Sequence, residues 1–281
     1  MSYNMEKLAF TKGLIDKGGI WFAPQSSEIS YPETGNETSL LLEENSFWFR
    51  HRNRCIASLV NRYSKGQLFF DIGGGNGYVS KGLEDQGVPT VLVEPGIQGC
   101  LNAKAKGLST VVCSTLENAG FQNNTLSAAG LFDVVEHIEN DVAFLSSVNQ
   151  YLVSGGKLYI TVPAYNALWS AEDTDAGHYR RYTLDSMGKT LQAAGLEVVF
   201  STYIFSVLPI PILLFRSLPS RLGIHREASE VTKHQKEHSE RQGVVGSLLE
   251  KIWDWEYTRI QQVKPLLIGG SCLVVAQKKS V

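Results

Sequence analysis

Gly73, Gly74, Gly75 and Gly77 follow Asp71 in the stretch LFFDIGGGNGYVSKGL, and a second acidic residue, Glu94, closes the next apolar run in VLVEPG. A glycine turn between a strand and a helix lets a ligand approach bare backbone at the helix N-terminus. The dinucleotide spacing G-x-G-x-x-G/A fails in both registers, because the third position is Tyr78 counted from Gly73 and Ser80 counted from Gly75. No Gly-Lys-Ser/Thr follows, so the phosphate-binding loop pattern fails as well. What remains is Asp71-x-Gly73-x-Gly75-x-Gly77 with a carboxylate one strand further on. Glu94 stands where a carboxylate takes both hydroxyls of a ribose, whereas Asp71 suits a ligand that carries positive charge in place of phosphate.

S-adenosylmethionine has that charge, as a sulfonium and an ammonium. Methyl transfer from a sulfonium is an in-line displacement with an activated leaving group, so alignment and desolvation do most of the acceleration. A base is needed only where the acceptor carries a proton. Residues able to serve must lie at the carboxyl ends of the strands, as Asp133, Glu136 and His137 do in FDVVEHIEN, and as His178 does after the following strand. His137 and His178 are the candidate bases, and Asp133 is read as shaping the cofactor pocket. The segment ALWSAEDTDAGHYRRYTLDSM gathers Trp169, Tyr179, Arg180 and Arg181 as candidate acceptor contacts. Either arginine can fork onto a carboxylate or phosphate, or can pair internally with Asp173 or Asp175.

Strands alternate with helices of about ten residues from Leu68 onward, which implies an α/β, doubly wound, mostly parallel sheet covered on both faces. Thr183 is expected to cap the helix in TLDSMGKTLQAAG and Gly195 to end it. The run GGSCLVVAQKK reads as a last strand beside LEVVFSTYIF. Three parts are expected: an N-terminal helical segment, 1–46, helping to cover the acceptor site; a cofactor-binding domain, 47–205 plus 271–281; and a helical insertion, 206–270, as a lid or cap. The apolar run from Tyr203 to Phe215 is about 13 residues, short of the roughly 20 a spanning helix needs, and prolines interrupt it. It spans no bilayer, though peripheral membrane contact stays open.

The 281 residues carry Lys+Arg 26 against Asp+Glu 28, a net charge of -2 that gives no electrostatic case for a nucleic-acid partner. Cys55, Cys100, Cys113 and Cys272 are scattered, and the N-terminus lacks a secretory pattern, so a cytoplasmic protein is expected. No metal is expected. HQKEH, His234 to His238, matches a zinc-peptidase motif but sits in a polar stretch with no apolar face to bury metal ligands.

Four features together, DIGGGNG, VEP, FDVVEHIEN, and GGKLYITVPA followed by GHYRRYT, resemble the class I S-adenosylmethionine-dependent methyltransferases, over roughly Phe47 to Gly195 plus the last strand. The resemblance implies a seven-stranded Rossmann-like methyltransferase fold. It puts Gly73, Gly75 and Gly77 along the methionine part of the cofactor, Glu94 on the ribose, and Ser114, Thr115 and Leu116 beside adenine. Members commonly have an acidic residue where this chain has Ser114, and a Phe-Asp pair opening the fourth strand where it reads TLSAAG. The Phe47-Trp48-Phe49 cluster resembles the helix that closes the cofactor pocket, with Arg52 set to hold the cofactor carboxylate. The expected activity is methyl transfer to a small-molecule acceptor of amphiphilic, aromatic, or lipid- or sugar-linked type. A catalytically silent binding protein of the same fold and a nicotinamide-linked oxidoreductase stand as alternatives.

Overall fold

The computed structural model describes residues 13–24, 46–224 and 244–280. Its centre is a nine-stranded sheet ordered β1-β2-β5-β4-β3-β6-β7-β9-β8. Five parallel strands supply the middle: β3 (Phe69–Ile72), β4 (Thr90–Glu94), β5 (Val111–Cys113), β6 (Leu126–Phe132) and β7 (Leu152–Pro163). β9 (Ser271–Lys278) lies antiparallel between β7 and β8 (Leu196–Ile204), in register from Lys157↔Gln277 to Pro163↔Ser271 on one side. The expected neighbour relation of the last two strands therefore holds.

Seven of the nine strands are those anticipated. The other two, β1 (Ile15–Lys17) and β2 (Ile20–Phe22), form a hairpin that extends the sheet, with β2 running parallel to β5. The described part of the N-terminal segment is thus a sheet edge and not a helix. Its turn is Gly18-Gly19, both at positive φ, with the Gly19 N–H donating to Asp16 Oδ1 at 2.7 Å. A Gly-Gly pair leading into the apolar run Ile20-Trp21-Phe22 is a hairpin signal in its own right.

Because strand side chains alternate, consecutive residues feed opposite layers. Phe70, Val91 and Val93 point into a core with Leu145, Val148, Met187 and Leu191 from the helices α4 (Asp141–Tyr151) and α6 (Leu184–Ala193). Phe69, Ala128, Tyr159 and Val275 point the other way, toward Ile56, Leu59 and Val60 of helix α1 (Phe47–Tyr63). Ser46 caps α1 by accepting from Trp48 N–H, and Thr183 caps α6 in a reciprocal box with Ser186, as its sequence implies. The remaining helices of the cofactor half are α2 (Tyr78–Glu84) and α3 (Ile97–Ala105).

The 206–270 insertion divides in two. Its second half contains the long helix Val244–Gln261, which docks on α1: Trp253 stacks on Phe47, and fully buried Glu256 pairs with His51 Nε2 at 2.9 Å. Glu256 also accepts the N–H groups of Phe205 and Ser206, so it ties the chain leaving β8 to both helices. Burial alone would raise its pKa, but the bonds from His51 and Ser206 outweigh that and hold it low. This half is core. The first half, Pro209–Ile212, a π-helical turn Leu213–Ser217 and Leu218–Arg221, is more exposed. His234 to His238 lie outside the described residues. Among the described residues no helix is long and apolar enough to cross a membrane, and the four cysteines are unpaired.

Candidate active site

The glycine turn after β3 is left-handed at Gly73 (φ 68°), Gly75 (φ 54°) and Gly77 (φ 72°). Side chains are excluded there by space as well as by backbone: a Cβ on Gly77 would sit 2.3 Å from Leu108 Cδ1. Glu94, nearly buried at the end of β4, braces the turn from the adjacent strand. Its Oε2 accepts the Gly75 N–H at 2.9 Å and its Oε1 the Gly96 N–H at 2.7 Å. Burial raises the Glu94 pKa, and these two backbone bonds oppose the rise. A carboxylate oxygen has capacity for a second donor, so both oxygens can still take a ribose hydroxyl.

Asp71, the penultimate residue of β3, is fully buried. One oxygen accepts from Ser80 Oγ at 2.7 Å, while Oδ1 has no hydrogen-bond partner. Burial pushes its carboxyl up to about 6, against the lowering pull of Ser80 and Arg52. A buried, half-satisfied carboxylate beside bare backbone is what a cationic ligand would complete. Ser114, after β5, donates its N–H to Glu94 O at 3.1 Å and its hydroxyl to Thr115 O. Thr115 is partly exposed, and Leu116 is buried among Val93, Val112 and Ala119.

Arg52 is not solvated. It is buried against the faces of Trp48 and Phe49, 4.5 and 5.3 Å from their ring centres, and its Nη1 pairs with Asp133 Oδ2. Its Nε has no partner. Asp133 holds a positive φ of 57° at the end of β6 and also accepts from Thr161 Oγ1 at 3.1 Å. The pair therefore spans from α1 to the carboxyl ends of β6 and β7.

On the far side of Asp133 the chain makes a short turn, Val135–His137, and the loop after β7 folds back onto it, with Tyr179 N–H donating to Glu136 O at 2.8 Å. The rings of His137 and His178 meet edge to face, 4.7 Å apart. His178 Nδ1–H donates to Asp173 Oδ1 at 2.9 Å, since an ionised carboxylate can only accept. Burial would raise the Asp173 pKa, but bonds from His178 and Arg181 bring it down to about 2. Burial, then the neighbouring His178, pushes His137 down to about 4, so His137 is neutral near pH 7. Glu136 is buried with Oε2 unpartnered, and its pKa is raised chiefly by burial and next by Asp133.

The loop gives both of its arginines internal partners. Arg181 turns inward, its Nε and Nη2 both donating to Asp173 at 2.7 and 3.0 Å and its Nη1 to Ala164 O. Arg180 pairs with Asp141 at 2.8 Å on the outside of the same loop. Both are thus engaged internally, leaving Tyr179, which is exposed, and Trp169, which bonds Thr174 Oγ1, as the freer aromatic groups. The short helix α5 (Ala171–Asp175), capped by Ser170, positions Asp173.

A methyltransferase-domain family profile matches residues 48–200, more than half of the chain. The chain belongs to the methyltransferase family. S-adenosylmethionine is the methyl donor of this class of enzyme, and the orphaned Asp71 oxygen, the glycine cradle and Glu94 fit it. This leaves the oxidoreductase and the silent binder without support. No curated protein sequence matches the chain. Among solved structures, a chain of the complex between the Haloferax volcanii Trm112 methyltransferase activator and its methyltransferase superposes with TM-score 0.56 at 15% identity, covering 89% of this chain and 96% of that one. Phosphoethanolamine N-methyltransferase 2 of Haemonchus contortus, solved with S-adenosyl-L-methionine, gives 0.55 at 19%, over 90% of this chain and 59% of that one. The [4+2]-cyclase SpnF gives 0.56 at 16%, over 92% and 99%. At such identities the likeness carries the fold, and a cyclase among the neighbours is a reminder that reaction is decided at the site.

Sequence reasoning did not find Glu256 or His51, because their pairing crosses 205 positions with no motif at either end. Glu136 was visible in VVEHIEN only as one of the residues at a strand's carboxyl end; its burial is what distinguishes it.

Proposed function

We propose that this methyltransferase acts on a small amphiphilic acceptor, bound beside Glu136, His137 and His178 and covered by the segment 206–224. When bound, S-adenosylmethionine supplies a methyl group already activated on a sulfonium. The chain's residues then have three tasks. Asp71 receives the ammonium on its free oxygen, Arg52 the cofactor carboxylate, and Glu94 the ribose hydroxyls, with Ser114, Thr115 and Leu116 along the adenine. Asp133 keeps Arg52 in place. The histidine cluster holds the acceptor's reactive atom where it loses its proton, with His178 oriented by Asp173.

The observation that carries the donor side is the buried, unpartnered Asp71 oxygen next to the glycine turn. The acceptor class is supported by Ile210, Leu214, Leu218 and Leu222, spaced four apart, which with Phe215 form an exposed apolar stripe. That stripe is anchored to the loop carrying His178 through Ser217 Oγ–Leu168 O, Arg221–Ala167 O and Arg216–Glu172. The test is transfer of labelled methyl from S-adenosylmethionine to a lipid extract and to the water-soluble fraction of the same cells. Label in the lipid fraction, reduced in a Leu214→Ser/Leu218→Ser variant that still binds S-adenosylhomocysteine, is the expected result. Label confined to the soluble fraction rejects the amphiphilic acceptor.

A further inference from the structure

We propose that Glu136, His137 and His178 hold a divalent transition-metal cation, of the zinc, cobalt or manganese kind, with positions left open for an oxygen of the acceptor. The role given to the cation rests on the acceptor site proposed above; the binding site itself rests on its three ligands. One donor atom from each lies within 4.8 Å of the others. Tetrahedral ligands about 2.1 Å from a metal are roughly 3.4 Å apart, so the donors draw together by about an ångström, Glu136 and His137 moving toward a fixed His178.

Two further observations point to a ligand. Glu136 is 1% exposed, yet its Oε2 has no hydrogen-bond partner. Leaving a buried carboxylate oxygen unsatisfied is costly, and a cation removes that cost. Secondly, His178 donates its Nδ1–H to Asp173 at 2.9 Å, which fixes the tautomer in which Nε2 carries the lone pair. A carboxylate behind the histidine is the support that metal-binding imidazoles almost always have. Asp173 is itself clamped by Arg181 and by the Ser170 N–H, so the His178 ring is held before any ion arrives.

Two imidazoles and one carboxylate are a donor set for borderline cations, and three protein ligands leave room for substrate. Glu136 and His137 come from the turn after β6, His178 from the loop after β7, and the Tyr179 N–H···O Glu136 bond joins the two. With the ion in place, an acceptor hydroxyl coordinated to it becomes more acidic. It releases its proton to water, and the resulting oxyanion forms the new O–CH3 bond. The S–CH3 bond breaks with its electron pair remaining on sulfur, giving S-adenosylhomocysteine. The class of acceptor this favours is a phenol or enol.

The test uses the full chain, stripped with a chelator and titrated with Co2+ alone, followed by visible absorption and calorimetry. Expected are a saturable Co2+ band in the wild type and a dissociation constant at least tenfold weaker in His178→Ala and in Glu136→Gln. Asp173→Asn should weaken it by roughly 10- to 100-fold as the supporting partner. Thermal melting establishes that each variant is folded, with His178→Gln as the milder alternative. His234 and His238 remain in every variant, so Co2+ uptake that is equal in wild type and His178→Ala overturns the proposal. Methyl transfer by chelated enzyme at the untreated rate overturns the role given to the ion. S-adenosylhomocysteine affinity is measured on the same samples: intact cofactor binding without the Co2+ band rejects the metal site alone, whereas loss of cofactor binding in the folded wild type rejects the methyl-donor assignment.

Discussion

Replacing Glu94 by alanine separates the two jobs its carboxylate performs. In the free protein it accepts the Gly75 and Gly96 N–H groups at 2.9 and 2.7 Å. In the function proposed here, its remaining lone pairs take the two ribose hydroxyls. Hydrogen bonds to a charged partner contribute about 1.5–3 kcal/mol each, so two of them amount to about 3–6 kcal/mol. Water entering the vacated space restores part of this, leaving a loss of about 2–4 kcal/mol, or roughly 30- to 700-fold in Kd. Calorimetric titration with S-adenosylhomocysteine measures it directly. Thermal melting should fall too, since two turn N–H groups lose their acceptor, and Glu94→Gln, which keeps one carbonyl oxygen, should lie between wild type and alanine in both readouts. A folded Glu94→Ala protein whose Kd is unchanged would refute the ribose placement.

The carboxyl of Asp71, pushed up to about 6 by burial, makes cofactor affinity pH-dependent. Affinity for S-adenosylhomocysteine should be level above about pH 7 and fall by up to about tenfold per unit below about pH 6; a level profile through that range removes Asp71 from the ammonium site. For the free protein the sign is opposite: the stability that neutral Asp71 contributes is full below about pH 4 and lost as pH rises through about 6, so Asp71→Asn should flatten denaturation curves across that window. Glu256→Ala strands His51 and the Phe205 and Ser206 N–H groups, and should cost about 3–5 kcal/mol in urea unfolding; a loss under about 1 kcal/mol would mean the pair does not fasten the long helix. His178→Ala and His137→Ala should each lower turnover at least tenfold while cofactor affinity and melting temperature stay near wild type, and loss of all three together would make the histidines scaffold.

The parts of this molecule that were legible in its sequence are those where a local rule dictates a local shape. Asp71 to Gly77 could be read because left-handed backbone and close approach demand glycine, and Thr183 because a cap needs an oxygen three residues before its donor. Parallel strands such as TVLVE show as apolar runs because both faces are covered. What stayed hidden depends on pairings between distant segments. Arg181 reads equally as a substrate fork or as an internal clasp until Asp173 is seen between it and His178. Arg52 stands out in the sequence only through the resemblance of its helix, and its pairing with Asp133, 81 positions away, is carried by no local signal. The Gly18-Gly19 hairpin was legible and was passed over, because the surrounding residues 1–46 were read as one helical and loop-rich cover.

The position of β9 has a consequence for how the chain is made. Ser271–Lys278 is the last strand in chain order among the described residues and yet it lies inside the sheet, with β7 on one flank and β8 on the other. Until β9 has been made and is inserted, β7 and β8 each have an open ladder facing a slot that nothing fills, and two unsatisfied strand edges invite mispairing with other nascent chains. The glycine cradle at β3 and β4 can be complete long before then, whereas the acceptor half can close only once β9 is in its slot. A chain cut short at Gly270 should therefore aggregate through its bare edges, although every residue assigned here to donor and acceptor is still in it.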